Sequence, residues 1–395
     1  MTLQELLAEL LREPLDAAQF RSAQAFDRIA APFENRIVIF GTGYLGNLAL
    51  SGLRAAGVEP LAFCDNNSAL WGSRKDGIEV VSPAEAAARY RDCAAFVVAI
   101  YNASSPRRQL QTLACPRIVP YPVLFWKFWQ SMPGENRLEL PHRILARAHE
   151  MAAGYDLLSD DRSRREFCAQ IRWRILLDEG CLPKSDEPRD MYFPPELLAP
   201  STSEVFVDCG AFDGDSIRCF LAASGGRFGR IFAWEADPGN VKGLSRYRSQ
   251  LPDEIAARME ILPYAVGEHN ATIRFSAEGS TGSRLAETED AVEVECRTID
   301  TVLATASPTF IKMDIEGAEP AALRGAMQTM ARHRPAMAIC AYHSCDHLWT
   351  LPQLLKAGNP DYRIFLRRYA EDCWETVYYA IPAERQLLEQ SYDER

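Results

Sequence analysis

The apolar positions of this chain follow two kinds of spacing. Leu3, Leu6, Leu7, Leu10 and Leu11 recur at helical intervals, and Phe20, Ala23, Phe26 and Ile29 repeat the pattern, so residues 1–30 read as two amphipathic helices. From Arg36 the spacing changes to short continuous apolar runs at Arg36–Phe40, Leu61–Cys64, Phe96–Ile100 and Ile118–Val119, with helical stretches between them. Such alternation predicts a parallel sheet covered on both faces, a Rossmann-like domain over 31–135. Residues 136–200 read first as helices, through Phe167, Ile171, Ile175 and Leu176, and then as a proline-rich loop from Gly180 to Pro200, together a linker. Over 201–395 the alternation returns, with strand-like runs beginning at Val205, Arg230, Met259, Thr309, Ala336, Tyr362 and Thr376. Ala271–Ser276 and Val292–Cys296 read as a hairpin-like excursion around the polar loop Gly279–Ser283. The expected class is α/β, with two doubly wound Rossmann-like domains joined by the helical linker. The aromatic stretch Pro120–Trp129 is expected to cap the first core, with a sugar-stacking surface as the sharper alternative.

Composition narrows this picture. The 395 residues are 47% hydrophobic and 25% charged, enough apolar material for two cores. A net charge of −11 argues against nucleic acid or an anionic membrane as partner. The eleven cysteines include no C-x-x-C pair, and several, among them Cys209, Cys219 and Cys340, lie in apolar runs, which reads as buried free thiols in a reducing cytoplasm. No signal peptide and no membrane span are expected. A small-molecule or glycan substrate is the expected partner, and association into a homo-oligomer is left open.

Two glycine turns carry the candidate chemistry. The first, Gly41-Thr-Gly43-Tyr-Leu-Gly46, follows a strand and opens a helix, and the next strand ends in Asp65, nineteen residues past Gly46. That is the dinucleotide fingerprint in its proper setting, so Gly41, Gly43, Gly46 and Asp65 form a candidate second nucleotide site. The same glycines also serve helix–strand packing alone, and no tyrosine–lysine pair at catalytic spacing accompanies them. The second turn runs Asp208-Cys-Gly210-Ala-Phe212-Asp-Gly214-Asp215-Ser216, and Glu235 follows twenty-one residues after Gly214, placed to accept the hydroxyls of a ribose. Asp208, Glu235, Asp314 and His343 each stand just after a run read as a strand, and in an open α/β sheet such ends converge on one crevice. The plainer reading of each acid alone is a helix cap. Tyr192-Phe193-Pro194 is expected over the mouth of that crevice.

These residues resemble a known family. The D-x-G-x-x-x-G turn with its ribose acid is similar to S-adenosylmethionine-dependent methyltransferases, and Lys312-Met-Asp314-Ile-Glu316-Gly317-Ala-Glu319 resembles the K-x-D-x-E-G-x-E signature of the FkbM family. The likeness runs from about 190 to 395, through Ala265-Val266-Gly267, Tyr342-His343 and Trp374-Glu375-Thr376-Val377; Arg368 departs from the histidine expected in such tails, and its segment is given no role. The N-terminal domain is similar to nucleotide-sugar-type modules fused to some members. The resemblance implies a class I methyltransferase fold and O-methylation of a hydroxyl on a sugar, glycan or glycosylated acceptor. It further implies a cofactor site of Asp208, Gly210, Phe212, Gly214, Asp215, Ser216, Glu235, Ala265 and Asp314, with Asp208 near the cofactor's ammonium group. His343 is the first choice as general base, Asp314 the second, and Glu316 would begin the next helix and bind substrate hydroxyls. His343 with His347, or Asp314 with Glu316, is the alternative reading as a metal site, and no metal is expected at either. The competing functions are a nucleotide-sugar oxidoreductase or epimerase run by the first domain, and a non-catalytic scaffold.

Overall fold

A computed structural model describes residues 2–132, 135–276, 284–285 and 292–385. Close backbone contacts divide the chain into two compact units: residues 1–148, 168–184 and 370–374, and residues 149–167, 185–369 and 375–395. The stretch 136–200, read as a linker, therefore contributes to both, and so does the helix Asp161–Leu176 within it.

The first unit opens with helices Leu3–Leu10 and Leu15–Ala30, the former started by a capping box between Thr2 and Glu5. Its strands are β1 (Ile37–Phe40), β2 (Ala62–Cys64), β3 (Arg74–Lys75), β4 (Ile78–Val81), β5 (Ala95–Val98) and β6 (Ile118–Pro120). They form one sheet in the order β3-β4-β2-β1-β5-β6, parallel except for the edge strand β3. Sequence reading missed β3 and β4. They are joined at Asp76-Gly77, both left-handed (φ 49° and 83°), the Asp-Gly signal of a two-residue hairpin. The aromatic stretch forms the helix Tyr121–Phe128, and its buried Tyr121, Leu124, Phe125 and Trp126 complete the core against β1 and β5, as the capping reading expects.

The second unit adds β7 (Val205–Cys209), β8 (Arg230–Trp234), β9 (Met259–Leu262), β10 (Ala265–Val266), β11 (Ala271–Ser276), β12 (Arg284–Leu285), β13 (Val292–Arg297), β14 (Phe310–Met313), β15 (Ala336–Cys340), β16 (Arg363–Arg368) and β17 (Thr376–Ile381). Seven of these form a sheet in the order β16-β17-β15-β14-β7-β8-β9. The strands from β9 to β15 are parallel, and β17 is antiparallel to both its neighbours. β14 is the central strand with β7 beside it, Phe206, Ile231 and Phe310 lie in the core, and the strand order reverses between β14 and β7. A crevice at the carboxyl ends of β7, β8 and β14 is what this topology provides. β11 and β13 pair antiparallel, as the hairpin reading expects; the loop Gly279–Ser283 lies outside the described residues. Most cysteines are buried and all are free, but Cys219 is exposed, because its position on the helix Asp215–Ser224 faces away from Ile217 and Phe220.

Candidate active site

The centre of the second unit is built by strand register. Parallel pairing sets Lys312 of β14 directly beside Asp208 of β7, so both side chains leave the same face of the sheet. The Lys312 ammonium lies 3.0 Å from Asp208 Oδ1 and donates at 2.8 Å to the Gly210 carbonyl, while Ser216 donates its hydroxyl to Asp208 Oδ2. Only 2% of the lysine side chain and none of the aspartate is exposed. Burial works against the ammonium, yet the charges of Asp208 and then Asp314 outweigh it and hold Lys312 protonated. Asp208 was expected to face an ammonium group of the cofactor; in the structure Lys312 supplies that cation from beneath the loop. The acid thus anchors the glycine turn rather than lining its open side.

The turn itself is close-packed. Gly210 is left-handed (φ 85°), and a Cβ there would fall 2.0 Å from the Asp314 carbonyl oxygen; at Gly214 (φ 88°) it would fall 2.7 Å from the Tyr247 ring. Gly210→Ala is expected to lower stability by at least about 2 kcal/mol, from left-handed strain plus overpacking, and urea denaturation checks it. Glu235, just past β8, accepts from the backbone N–H of Phe212 and of Asp237, each at 2.8 Å, and is nearly buried. Burial raises its pKa, opposed by those two N–H groups. It therefore ties the tip of the turn to the end of β8, with lone pairs left on both oxygens for hydroxyl donors. Asp215 is exposed at the first position of the helix Asp215–Ser224, and Ala265 is half-buried in β10. An acid at the end of β8 and a tight glycine turn at the end of β7 fit the ribose and amino-acid portions of S-adenosylmethionine.

Beside this turn lies an ionic cluster. Asp314 accepts from the Tyr192 hydroxyl at 2.8 Å on Oδ2 and from the Tyr342 hydroxyl at 3.3 Å on Oδ1, with His343 Nε2 also 3.3 Å from Oδ1. His343 Nδ1 stands 2.8 Å from Glu319 Oε1, which also accepts from the Ile315 N–H at 2.9 Å. His343 is thus clamped between two carboxylates. Burial alone would lower its pKa, but Glu319 and the hydrogen bond to Asp314 raise it to about 10. Asp314 is held well below the usual carboxylate range: the His343 hydrogen bond and the Lys312 charge overcome burial. Both tyrosines keep their protons, because burial and then the Asp314 charge push the phenols far up. Asp314, Glu319 and His343 bring donor atoms within 4.8 Å of one another, but the imidazole nitrogens are turned on the two acids, so the donor set reads as a charge clamp.

The cluster gives a pH signature with a definite sign. His343 binds its proton more tightly in the fold, so its contribution to stability is whole below about pH 6.5 and is lost as pH rises toward about 10. Asp314 and Glu319 are held low, so theirs is present above their ordinary values of 3.8 and 4.5 and is lost on acidification. Chemical denaturation is expected to find the protein less stable at pH 9 than at pH 6, and His343→Gln to flatten that difference.

Several expected roles change with this geometry. His343, the first choice as base, shows only 1% of its side chain and already carries its proton, while 25% of the Asp314 side chain is exposed. Glu316 does not begin the helix: it and Gly317 are left-handed (φ 53° and 103°), and the helix starts at Glu319. Its carboxylate stays 3.8 Å from His343 Nε2. Tyr192 reaches the site as expected, through its hydrogen bond to Asp314. The motif alone shows no role for Lys312 and Glu319, although Asp314, just past the end of β14, stands two residues from Lys312, the spacing that puts side chains on one face of an extended chain. In the first unit, Asp65 turns onto the glycine loop: Oδ2 accepts from Thr42 N–H at 2.9 Å and Thr42 Oγ at 2.7 Å, and Oδ1 from Asn67 N–H at 2.8 Å. A Cβ at Gly46 would fall 2.1 Å from Gly41 O, and one at Gly41 2.7 Å from Ala99 O, so these two glycines serve packing, whereas Gly43 has open space.

Comparison with known proteins agrees with the second unit's architecture. Residues 208–363 match the model of the methyltransferase FkbM domain. The crystal structure of a methyltransferase FkbM from Methylobacillus flagellatus KT is similar at 25% identity, over 96% of this chain and 98% of that one, with a TM-score of 0.75. Weaker likenesses include an rRNA methylase from Streptococcus thermophilus (11% identity, 48% of this chain and 90% of that one, TM-score 0.31) and a precorrin-6y C5,15-methyltransferase from Geobacter metallireducens GS-15 (13%, 47% and 84%, TM-score 0.30). No curated protein matches the chain. Among the described residues no helix is long and apolar enough to cross a membrane. The domain match and the near full-length likeness together make this chain an S-adenosylmethionine-dependent methyltransferase, with the match to the FkbM methyltransferase domain confined to residues 208–363.

Proposed function

We propose that the enzyme is an O-methyltransferase acting on a hydroxyl of a sugar, glycan or glycosylated acceptor, with Asp314 as the group that meets that hydroxyl. The observation that carries this reading is the Asp314 carboxylate itself, part-exposed and already accepting two O–H donors, Tyr192 and Tyr342. A site built to accept hydroxyl protons suits an alcohol acceptor, and the resemblance to FkbM-type enzymes supplies the sugar class. The cofactor brings a methyl group already activated on a sulfonium. What the chain must do is align the acceptor oxygen and take its proton.

Asp314 is a weak base in this setting, and that suffices. With the donor bound, the acceptor oxygen would become strongly acidic as it takes the methyl group from the sulfonium, which would leave as a neutral thioether, and Asp314 would receive the proton. His343 holds the carboxylate in place from behind, and Glu319 holds His343. Glu235 would hold the ribose, and Phe212 and Gly214 the turn around the methionine portion.

Calorimetry and labelled methyl transfer test the reading together. Glu235→Ala is expected to weaken S-adenosylmethionine binding by at least about tenfold, the scale of losing one good hydrogen-bonded contact pair to a carboxylate. The parent is expected to transfer label to a hydroxyl of a glycan or oligosaccharide fraction. Equal cofactor affinity in the variant, or label found only on amine or carbon acceptors, overturns it.

A further inference from the structure

Outside the methyltransferase site, the first unit contains a cavity of about 200 Å³ whose lining residues all belong to that unit. It opens at the carboxyl ends of β5 and β6, at Val98 and Pro120, against Leu45 of the helix that follows the glycine turn. The strand order reverses between β1 and β5, so the cavity lies one strand over from that point, still at the carboxyl-end rim where an open α/β sheet takes its ligands. Its size and the posture of Asp65 argue against the dinucleotide suggested by the fingerprint. The volume is below the roughly 300–1,000 Å³ of pockets for drug-sized ligands, and the acid that would hold a ribose already accepts two bonds on Oδ2 and one on Oδ1, which leaves it a single lone pair for a hydroxyl.

The walls are specific. Tyr121, Trp173 and Trp374 supply aromatic surface, and Trp374 is fixed edge-on to Tyr101 with ring centroids 4.7 Å apart. The Arg137 guanidinium lies 5.6–5.7 Å from the ring centres of Tyr44, Tyr101 and Trp374, which pins the aromatic wall further. Trp173 is 7% exposed, and its indole N–H is buried with no acceptor. A buried indole N–H ordinarily finds a partner, and here a ligand oxygen beside Trp173 would supply one. At one end stand Asn102, Ser104 and Arg107, with Glu371 and Asp372 of the turn Ala370–Trp374. That turn is sewn down by Asn102 N–H to Asp372 Oδ2 at 2.7 Å and by the Ser104 hydroxyl to Glu371, so the wall is held without a ligand.

We propose that this cavity binds a small ligand of a single six-membered ring, with apolar faces against the tryptophans and a hydrogen-bond acceptor for the Trp173 N–H. Both a pyranose and an aromatic carboxylate have that chemistry. The site is independent of the methyltransferase reading and stands or falls separately from it.

Saturation-transfer NMR and calorimetry on the full chain, with glucose and N-acetylglucosamine in one arm and benzoate and 4-hydroxybenzoate in the other, test the proposal and choose between the sources. One arm is expected to bind saturably. Ala103→Trp, which fills the cavity from its edge, is expected to weaken that binding by about tenfold or more. Trp173→Phe keeps the ring and removes the donor, and is expected to weaken it by about fivefold, the scale of one net hydrogen bond. Both variants should bind S-adenosylmethionine as the parent does, which also reports that they fold. Absence of saturable binding in both arms overturns the proposal. So does unchanged affinity in folded Ala103→Trp; should that variant not fold, unchanged affinity in Trp173→Phe decides against it.

Discussion

Asp314→Asn is expected to lower kcat for methyl transfer by about 10²–10⁴-fold, the range for removal of a positioned general base, and to leave cofactor affinity within a few-fold of the parent. The substitution keeps the size of the side chain and one oxygen for one of the two tyrosine donors, while the other hydroxyl can turn to accept from the new amide, so the fold has little reason to change. What it removes is the charge that receives the acceptor's proton. His343→Gln is expected to be milder in kcat, because the imidazole lies behind the acid, buried and protonated, and acts on the substrate only by holding Asp314. The pH–rate profile separates the two roles. If His343 itself took the proton, activity in the parent would switch on with deprotonation toward about pH 10 and His343→Gln would be as inactive as Asp314→Asn. A parent already active at neutral pH, with the order Asp314→Asn below His343→Gln below parent, is the result expected. The reverse order sinks the assignment of the proton to Asp314.

Much of this architecture was legible in the chain because short buried runs and glycine turns obey simple rules. The strands of the large sheet stand within a residue or two of the apolar runs that announce them, and the turn after β7 is written in Gly210 and Gly214. What the sequence hid was direction. Asp208 and Glu235 both follow strands, yet one is turned beneath the loop to meet Lys312 and the other along it to meet backbone N–H groups. That difference comes from lateral register between β7 and β14, which are separated by about a hundred residues and carry no local signal of their pairing. Protonation was hidden for a related reason. An imidazole judged by its ordinary pKa looks like a base, but His343 meets Glu319 from the start of the helix Glu319–Arg324 and Asp314 from just past β14, and the pair of acids fixes it as a cation. In the first unit the fingerprint spacing was read correctly as strand, turn and helix, while its acid was engaged by Thr42; the pattern specifies backbone shape more strongly than it specifies a ligand.

The second large effect concerns stability. Lys312→Met is expected to cost about 3–5 kcal/mol, the range for stranding one member of a buried ion pair, measured as the change in unfolding free energy in urea near neutral pH. Methionine fills most of the lysine's volume, so packing changes little, and the loss comes from the Asp208 carboxylate, which has no exposed surface and keeps only the Ser216 hydroxyl. The Gly210 carbonyl loses its donor at the same time, which loosens the turn. Two controls identify the cause. Adding Asp208→Asn to Lys312→Met is expected to recover more than half of the loss, since a neutral amide no longer needs the cation. Acidification gives the same answer in the single variant: burial raises the Asp208 pKa and Lys312 no longer opposes it, so the fold takes up a proton more readily than the unfolded chain. The penalty is full at pH 8 and shrinks as pH falls through the raised value, so the gap between parent and Lys312→Met should narrow by pH 5. A gap that stays constant with pH and is not relieved by Asp208→Asn would mean that the lysine acts through packing and the Gly210 carbonyl alone, and that the charge on Asp208 is not what anchors the turn.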